Sequence, residues 1–318
     1  MQTDEPLVDI LMATYNGAAA LPSQLASIAA QTYRNWKLIV RDDGSKDDTL
    51  GILAEFSRQN PGKLVLINDA LGNLGPLRNF ATLLVHSDAD YIGFSDHDDI
   101  WDREKLALSI SELRLIEEEH GSGVAALVVT DRRVVDDIGT PIAASFWENQ
   151  GIQPRNIHDP FDYFFHPVAA GSSMLMNQSL RDLVQPIPDT AIMYDCWIEL
   201  VAARFAKTRY IEKAMLLYVK HAGNASGGGR AYGANRYIRR ARFLLANLKR
   251  QRAVYRRMLG QARSYLAAFG DRLSEAERKR VECLLAMEGA GIAKLWLAPR
   301  AAGLPPTWER KLAFLLLV

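Results

Sequence analysis

The chain is expected to fold as an α/β protein with a largely parallel sheet flanked by helices. Three features predict this. Short apolar runs alternate with helix-like stretches through the first 120 or so residues. Three of those runs end in polar clusters, Thr14-Tyr15-Asn16-Gly17, Asp42-Asp43-Gly44-Ser45 and Asp96-His97-Asp98-Asp99. Beyond the glycine-rich stretch Gly223 to Gly229 the pattern changes to long helices.

In chain order, Val8 to Thr14 reads as a buried strand and Ala18 to Gln31 as an amphipathic helix. Trp36 to Val40 is a second strand, running into Arg41-Asp42-Asp43-Gly44-Ser45. Asp48 or Thr49 is placed to cap a helix reaching about Arg58, and Leu64 to Ile67 is a third strand. Leu77 to Val85 is helical, and Tyr91 to Phe94 is a fourth strand leading into the Asp96 cluster. The middle is more mixed, with strands expected at Ala125 to Thr130 and Ser172 to Met176 and a helix at Cys196 to Phe205. Long helices are expected over Asn235 to Phe269 and Ser274 to Leu297. The implied organisation is an α/β domain over 1–229, its two halves meeting at about residues 123 and 124, followed by a basic helical extension over 230–318.

A chain of 318 residues, 48% hydrophobic and 24% charged, has the composition of a folded protein and excludes a disordered one. Its two cysteines, Cys196 and Cys283, lie far apart in helix-like segments, which argues against a disulfide framework or a cysteine zinc site. Met1 to Pro6 lacks the character of a signal peptide, and no apolar run is long enough to span a bilayer. The expectation is a cytoplasmic protein, with peripheral attachment to the inner face of the membrane left open.

In parallel α/β sheets ligands collect at the carboxyl ends of the strands, where the three polar clusters fall. Asp96-x-Asp98, with Asp99 adjacent, sets two or three carboxylates at the end of a buried strand. Like charges so placed call for a cation, and hard oxygen ligands suit Mg²⁺ or Mn²⁺. The competing reading is a solvated acidic turn before the helix near Arg103. Asp42-Asp43-Gly44-Ser45 is either a turn with an N-cap or a carboxylate pair for a nucleobase or ribose. Dinucleotide and Walker-type glycine motifs are lacking.

Met12-Ala13-Thr14-Tyr15-Asn16-Gly17, Arg41-Asp42-Asp43-Gly44-Ser45, Gly72-Asn73-Leu74-Gly75 and Ser95-Asp96-His97-Asp98-Asp99-Ile100-Trp101 occur in an order and spacing that resembles family 2 glycosyltransferases. Tyr194-Asp195-Cys196-Trp197 and His221-Ala222-Gly223-Asn224 resemble that family's later landmarks in its rhamnosyltransferase-like branch, so the resemblance covers about residues 7–229. It implies a GT-A fold, a nucleoside-diphosphate-sugar donor such as dTDP-rhamnose or a UDP-sugar, and inverting transfer. By the same resemblance Thr14, Tyr15 and Asn16 line the nucleotide pocket, Asp42 or Asp43 contacts the base, and Arg78 contacts the base or a phosphate. Asp96 meets ribose or metal, Asp98 binds the metal holding the diphosphate, and His221 adds a metal or diphosphate contact. Asp195 takes the position of the general base.

Those roles suit a single in-line displacement at the anomeric carbon, in which a carboxylate removes the acceptor proton and a metal offsets charge on the departing diphosphate. Read without the family, Asp195 is an N-cap for the helix after it. Trp197 is placed either to stack on an acceptor sugar or to fill the core. Two departures from the family pattern stand out. His97, between the aspartates, either fills space or touches phosphate, and Cys196 replaces a bulky residue.

Between Arg230 and Gly270 there are eleven Lys or Arg and no Asp or Glu, with apolar residues at helical spacing. Residues 236–263 therefore read as an interfacial element on anionic lipid, suited to a lipid-linked glycan acceptor in O-antigen or related polysaccharide synthesis, or as a helix packed on the domain. No nucleic-acid reader motif accompanies the charge. The tail Phe314 to Val318 suits burial in a membrane or in the partner subunit of a homo-oligomer. Two rival functions are a sugar nucleotidyltransferase, which calls for basic residues soon after the first strand, and an inactive nucleotide-sugar-binding scaffold.

Overall fold

The computed structural model describes residues 5–220 and 248–288, apart from 137, 158, 166 and 287. Its elements run β1 (Val8–Thr14), α1 (Leu21–Ala29), β2 (Trp36–Asp42), α2 (Thr49–Gln59), β3 (Leu64–Leu66), α3 (Gly75–Val85), β4 (Tyr91–Asp96), β5 (Ile100–Trp101) and α4 (Lys105–His120). Then come β6 (Ala126–Asp136), β7 (Pro141–Ala143), α5 (Phe146–Gln150), β8 (Met174–Asn177), α6 (Gln178–Val184), α7 (Tyr194–Phe205) and β9 (Lys207–Lys220). Two further helices follow, α8 (Leu248–Phe269) and α9 (Glu275–Ala286).

β3, β2, β1 and β4 pair parallel in that spatial order. β8 then inserts antiparallel between β4 and β6, and β6 pairs parallel with β9. The short β5 closes the far edge antiparallel to β9, and β7 folds back on β6. This is the expected mixed α/β architecture of the GT-A type, with the parallel half legible from the sequence. Three departures occur. Ser172 and Ser173 lie in a 3-10 turn, so β8 starts at Met174. β6 extends to Asp136, beyond the expected Thr130. β9, fourteen residues long, was not foreseen.

Alternation along β1 explains why both faces of the sheet are covered. Val8, Ile10 and Met12 share one core with Leu21, Leu25 and Ile28 of α1, Leu53 of α2 and Leu106, Ile110 and Leu113 of α4. Each such side chain gains roughly 1.5–3 kcal/mol from leaving water. On the remaining helices, Phe80 of α3 stacks on Tyr194 of α7 at 4.1 Å between ring centroids, and Phe94 of β4 lies 5.1 Å from the same ring. Asp9, buried on β1, accepts a hydrogen bond from Ser87 Oγ at 2.8 Å. Burial there raises its carboxyl above the ordinary range.

The chain divides into two compact units. The first comprises residues 1–158, 168–187 and 193–227; the second comprises 159–167, 188–192 and 228–318. The second thus takes two short segments from the middle of the chain as well as the basic helical stretch. Within it, Phe164 meets Tyr265 edge to face at 5.5 Å, and Arg280 grips Asp159 through two hydrogen bonds of 2.7 and 3.0 Å. Of the basic stretch 236–263, residues 236–247 lie outside the described residues, and no described helix is long and apolar enough to cross a membrane.

Candidate active site

Register brings the polar clusters to one end of the sheet, with Thr14 opposite Asp42 and Ala13 opposite Asp96. The loops after β1 and β2 are stitched together. Thr14 Oγ1 donates to Asp42 Oδ1 at 2.8 Å, Asn16 N to Ser45 Oγ at 2.8 Å, Lys46 N to Asn16 Oδ1 at 2.8 Å, and Gly17 N to Thr49 Oγ1 at 2.9 Å. Asn16 adopts a left-handed backbone at φ 48°, which asparagine tolerates better than most residues. Tyr15 is left 47% exposed at the mouth, while Thr14 is buried. The residue tying down the start of α2 is Asp47 rather than the expected Asp48 or Thr49. Its carboxylate accepts from Thr49 N, Thr49 Oγ1 and Ala18 N.

Gly17 meets the acidic loop directly. A methyl group added there would lie 2.6 Å from His97 Cδ2, so the imidazole covers this glycine and fills the space beside it. His97 therefore couples the Thr14 loop to the Asp96 loop.

Asp43 is buried and fully engaged. Arg41 Nη1 donates to Oδ1 at 2.8 Å, Leu74 N to Oδ1 at 2.7 Å and Gly75 N to Oδ2 at 2.8 Å. Arg41, also buried, makes a bidentate pair with Asp69 and donates to the Gly72 carbonyl. The guanidinium holds the Asp69 carboxyl down to about 2. Asp43 and Arg41 thus brace the Gly72–Gly75 loop, while the half-buried Asp42 accepts from Thr14, Gly44 and Ser45. Arg78 is exposed in the first turn of α3.

The acidic cluster closes β4. Asp96, partly accessible, is raised well above the ordinary range by dense packing and by the charges of Asp99, Asp98 and Asp195. Burial lifts the Asp99 carboxyl to about 7, and the charge of Asp98 adds to the shift while Ser172 and Arg132 oppose it. Two cations stand among these carboxylates. Lys105 is completely buried over the Trp101 ring, its Nζ 4.1 Å from the centroid, and burial drives its ammonium down to about 7. Arg132 lies against the ring of Phe146, with the ring of Tyr218 standing edge-on to it nearby, and its charge acts on Asp99, Asp195 and Asp96.

Asp195 stands in the first turn of α7, one residue inside the helix, and the N-cap position is Met193. The helix N-terminus favours a carboxylate at this point. Oδ1 accepts from Cys196 N at 2.8 Å and Oδ2 from Gly171 N at 3.1 Å. Burial nevertheless raises its carboxyl above the ordinary value, the two N–H groups and Arg132 opposing the shift. One turn later Glu199, buried and raised, accepts from Val168 N at 2.8 Å and Ala169 N at 3.0 Å. Two carboxylates on one face of α7 therefore pin the loop that carries Gly171.

One expected site residue is not at the surface. Trp197 is 2% exposed and its indole N–H donates to the Val184 carbonyl at 2.8 Å, so it is a core residue with no ring face for an acceptor sugar. His221 lies outside the described residues. Arg132, Lys105, Glu199 and Gly171 escaped the sequence reading. For Arg132 a signal existed, because two arginines interrupt the apolar run from Leu127 to Val135.

Among the described residues no group of three or more His, Cys, Asp or Glu side chains is arranged to hold a metal. That is compatible with Mg²⁺ or Mn²⁺, which commonly take one or two protein carboxylates and complete their shell with substrate phosphates and water.

The comparisons agree with this geometry. The model of glycosyl transferase family 2 matches residues 9–179, more than half of the chain. A UDP-Glc:alpha-D-GlcNAc-diphosphoundecaprenol beta-1,3-glucosyltransferase of Escherichia coli, WfgD, is 40% identical over 108 residues, which is 34% of this chain and 41% of that protein. The dTDP-rhamnosyl transferase RfbG of Shigella flexneri is 28% identical over 235 residues, covering 70% of this chain and 76% of that one. Among solved structures, S. aureus TarS 1-349 in complex with UDP-GlcNAc superposes at a TM-score of 0.57 and 16% identity, over 96% of this chain and 78% of that one. Mannosyltransferase PcManGT of Pyrobaculum calidifontis, in complex with GDP-Man and Mn2+, does so at 0.52 and 16% identity, over 99% and 85%. The braced loops after β1 and β2, the carboxylates closing β4 and the aspartate opening α7 are thus set in a chain that belongs to glycosyl transferase family 2.

Proposed function

We propose that this chain is an inverting, divalent-metal-dependent glycosyltransferase of cell-surface polysaccharide synthesis. It moves a sugar from a nucleoside-diphosphate sugar, dTDP-rhamnose or a UDP-sugar, to a glycan or lipid-linked acceptor. The observation that carries the reading is Asp195. It is a partly accessible carboxylate of raised pKa, fixed by two backbone N–H groups, and it interacts electrostatically with the acidic cluster at the end of β4. The names of WfgD and RfbG support the donor and acceptor classes.

In this mechanism Thr14, Tyr15 and Asn16 form the nucleotide pocket, with Asp42 and the braced Asp43 beside the base and Arg78 toward the base or a phosphate. Asp98 and Asp96 hold the cation, joined by His221, and the cation when bound offsets charge on the diphosphate. His97 holds the two loops together. Asp195 accepts the proton of the acceptor hydroxyl while that oxygen bonds the anomeric carbon and the bond to the diphosphate breaks. Desolvation keeps this carboxylate more basic than one in water, as a general base requires.

Asp195→Asn tests the assignment. Its single carbonyl oxygen keeps one of the two N–H contacts, and it cannot take a proton. Donor binding is expected to survive while transfer falls on the order of 10²-fold or more. Near-normal turnover would remove Asp195 from the role.

A further inference from the structure

Arg132 is nine-tenths buried, yet none of its guanidinium N–H groups hydrogen-bonds another described residue. Buried guanidinium groups ordinarily saturate their donors. Arg41 in this same chain does so, using Asp43, Asp69 and the Gly72 carbonyl. The nitrogens of Arg132 are also absent from the buried polar atoms that lack partners, so its edge reaches open space.

The surroundings hold that edge in a fixed direction. Phe146 covers one face, with Cζ 3.8 Å from the ring centroid, and Tyr218 lies 4.8 Å away. Asp131, the preceding residue, anchors the start of α5 by accepting from Ser145 Oγ at 2.5 Å and Trp147 N at 3.3 Å, which keeps Phe146 in place. The pairing of β6 with β9 slips on either side of Asp131, a bulge of the kind that re-aims a side chain. Neither ring face offers the guanidinium a hydrogen-bond acceptor oxygen, so its N–H fork stays available to a ligand. A planar fork of donors stripped of water is the arrangement that recognises a carboxylate or a phosphate.

We propose that Arg132 is an oxyanion-binding residue of the acceptor subsite, and that the acceptor carries a phosphate or carboxylate near the hydroxyl to be glycosylated. The acceptor side follows from place in the chain: Arg132 on β6 and Asp195 on α7 both belong to the half after residue 124 and interact electrostatically, as Arg132 also does with Asp99 and Asp96. The assignment of this side rests on the proposed role of Asp195. The oxyanion contact itself does not.

Calorimetry on the full chain, with EDTA present to exclude metal-borne binding, tests it using inorganic phosphate and acetate as separate probes. Saturable binding of at least one is expected, and the tighter of the two identifies the acceptor's group. Arg132→Gln should weaken it by about 10- to 100-fold, the worth of a charged hydrogen-bonding fork. Arg132→Lys, which keeps the charge without the fork, and Phe146→Leu, which loosens the clamp, should fall in between. These two keep the test informative if the glutamine variant fails to fold. In a second titration with Mn²⁺ in place of EDTA, the chain saturated with UDP should bind phosphate with the affinity measured in EDTA. Lack of saturable binding, or equal affinity in the variants, overturns the proposal, and displacement of phosphate by UDP overturns its acceptor side. Failure of UDP itself to bind the wild type with Mn²⁺ present would count against the donor reading instead.

Discussion

Gly171→Ala is expected to damage stability and turnover together. The glycine is needed for space, since its φ is not left-handed. A Cβ there would lie 1.8 Å from Tyr194 Oη and 2.4 Å from Tyr194 Cζ. Relief to an ordinary contact of about 3.4 Å asks for a shift of roughly 1.6 Å in interiors packed at crystal-like density. The tyrosine cannot yield freely, because it is buried against Phe80 and Phe94. Overpacking of this kind costs about 1–3 kcal/mol, or roughly 2–12 °C in Tm for a unit of about 200 residues. If the loop moves instead, Gly171 N withdraws from Asp195 and leaves one fewer donor on the proposed general base. Tyr194→Phe in the alanine background removes the worst contact but not the 2.4 Å one, so partial recovery of both Tm and transfer is expected. Differential scanning calorimetry and a donor-turnover assay read the two effects. A Gly171→Ala protein with wild-type Tm and rate would refute the reasoning, as would a double variant no better than the single.

Asp98→Ala should abolish metal-dependent binding of UDP or dTDP in calorimetry with Mn²⁺, and unchanged affinity would remove its role as a ligand. Arg41→Met strands the buried Asp43 carboxylate and should cost about 3–5 kcal/mol in urea unfolding. A loss below about 1 kcal/mol, the worth of an exposed pair, would mean that water satisfies Asp43. Lys105 releases its proton near 7 when folded and near 10.5 when unfolded. The unfolded chain therefore binds more protons across that window, and stability should rise with pH from about 7 toward 10. Lys105→Met should flatten this rise, and urea midpoints with the same pH slope in both proteins would contradict it.

The parallel half of the sheet was legible because β1, β2 and β4 are mostly apolar runs, broken only by Asp9 and Lys37 before they end in polar residues at the level where ligands bind. β9 was not, because Lys207, Arg209, Glu212 and Lys213 dilute its pattern, and its strand character comes from pairing with β6, roughly 80 positions earlier in the chain. The site divides the same way. Asp96, Asp98 and Asp195 announce themselves by motif. Arg132 acquires its meaning from Phe146 and Tyr218, which no local pattern joins to it, and Glu199 from the distant loop that it holds. Trp197 shows the converse. An aromatic beside a catalytic aspartate looks available to a sugar, but the helical turn carries it inward.

The antiparallel insertion of β8 has a consequence for how the protein is made. Tyr91, Ile92 and Gly93 of β4 find their partners in Asn177, Met176 and Leu175, more than 80 residues later. At about 5–20 residues per second of synthesis, the β4 edge emerges roughly 4–16 s before the strand that covers it. During that interval an apolar edge beside the growing site is open to pairing with other chains. The strand that joins β4 to β6 thus also ends the interval in which that edge is exposed.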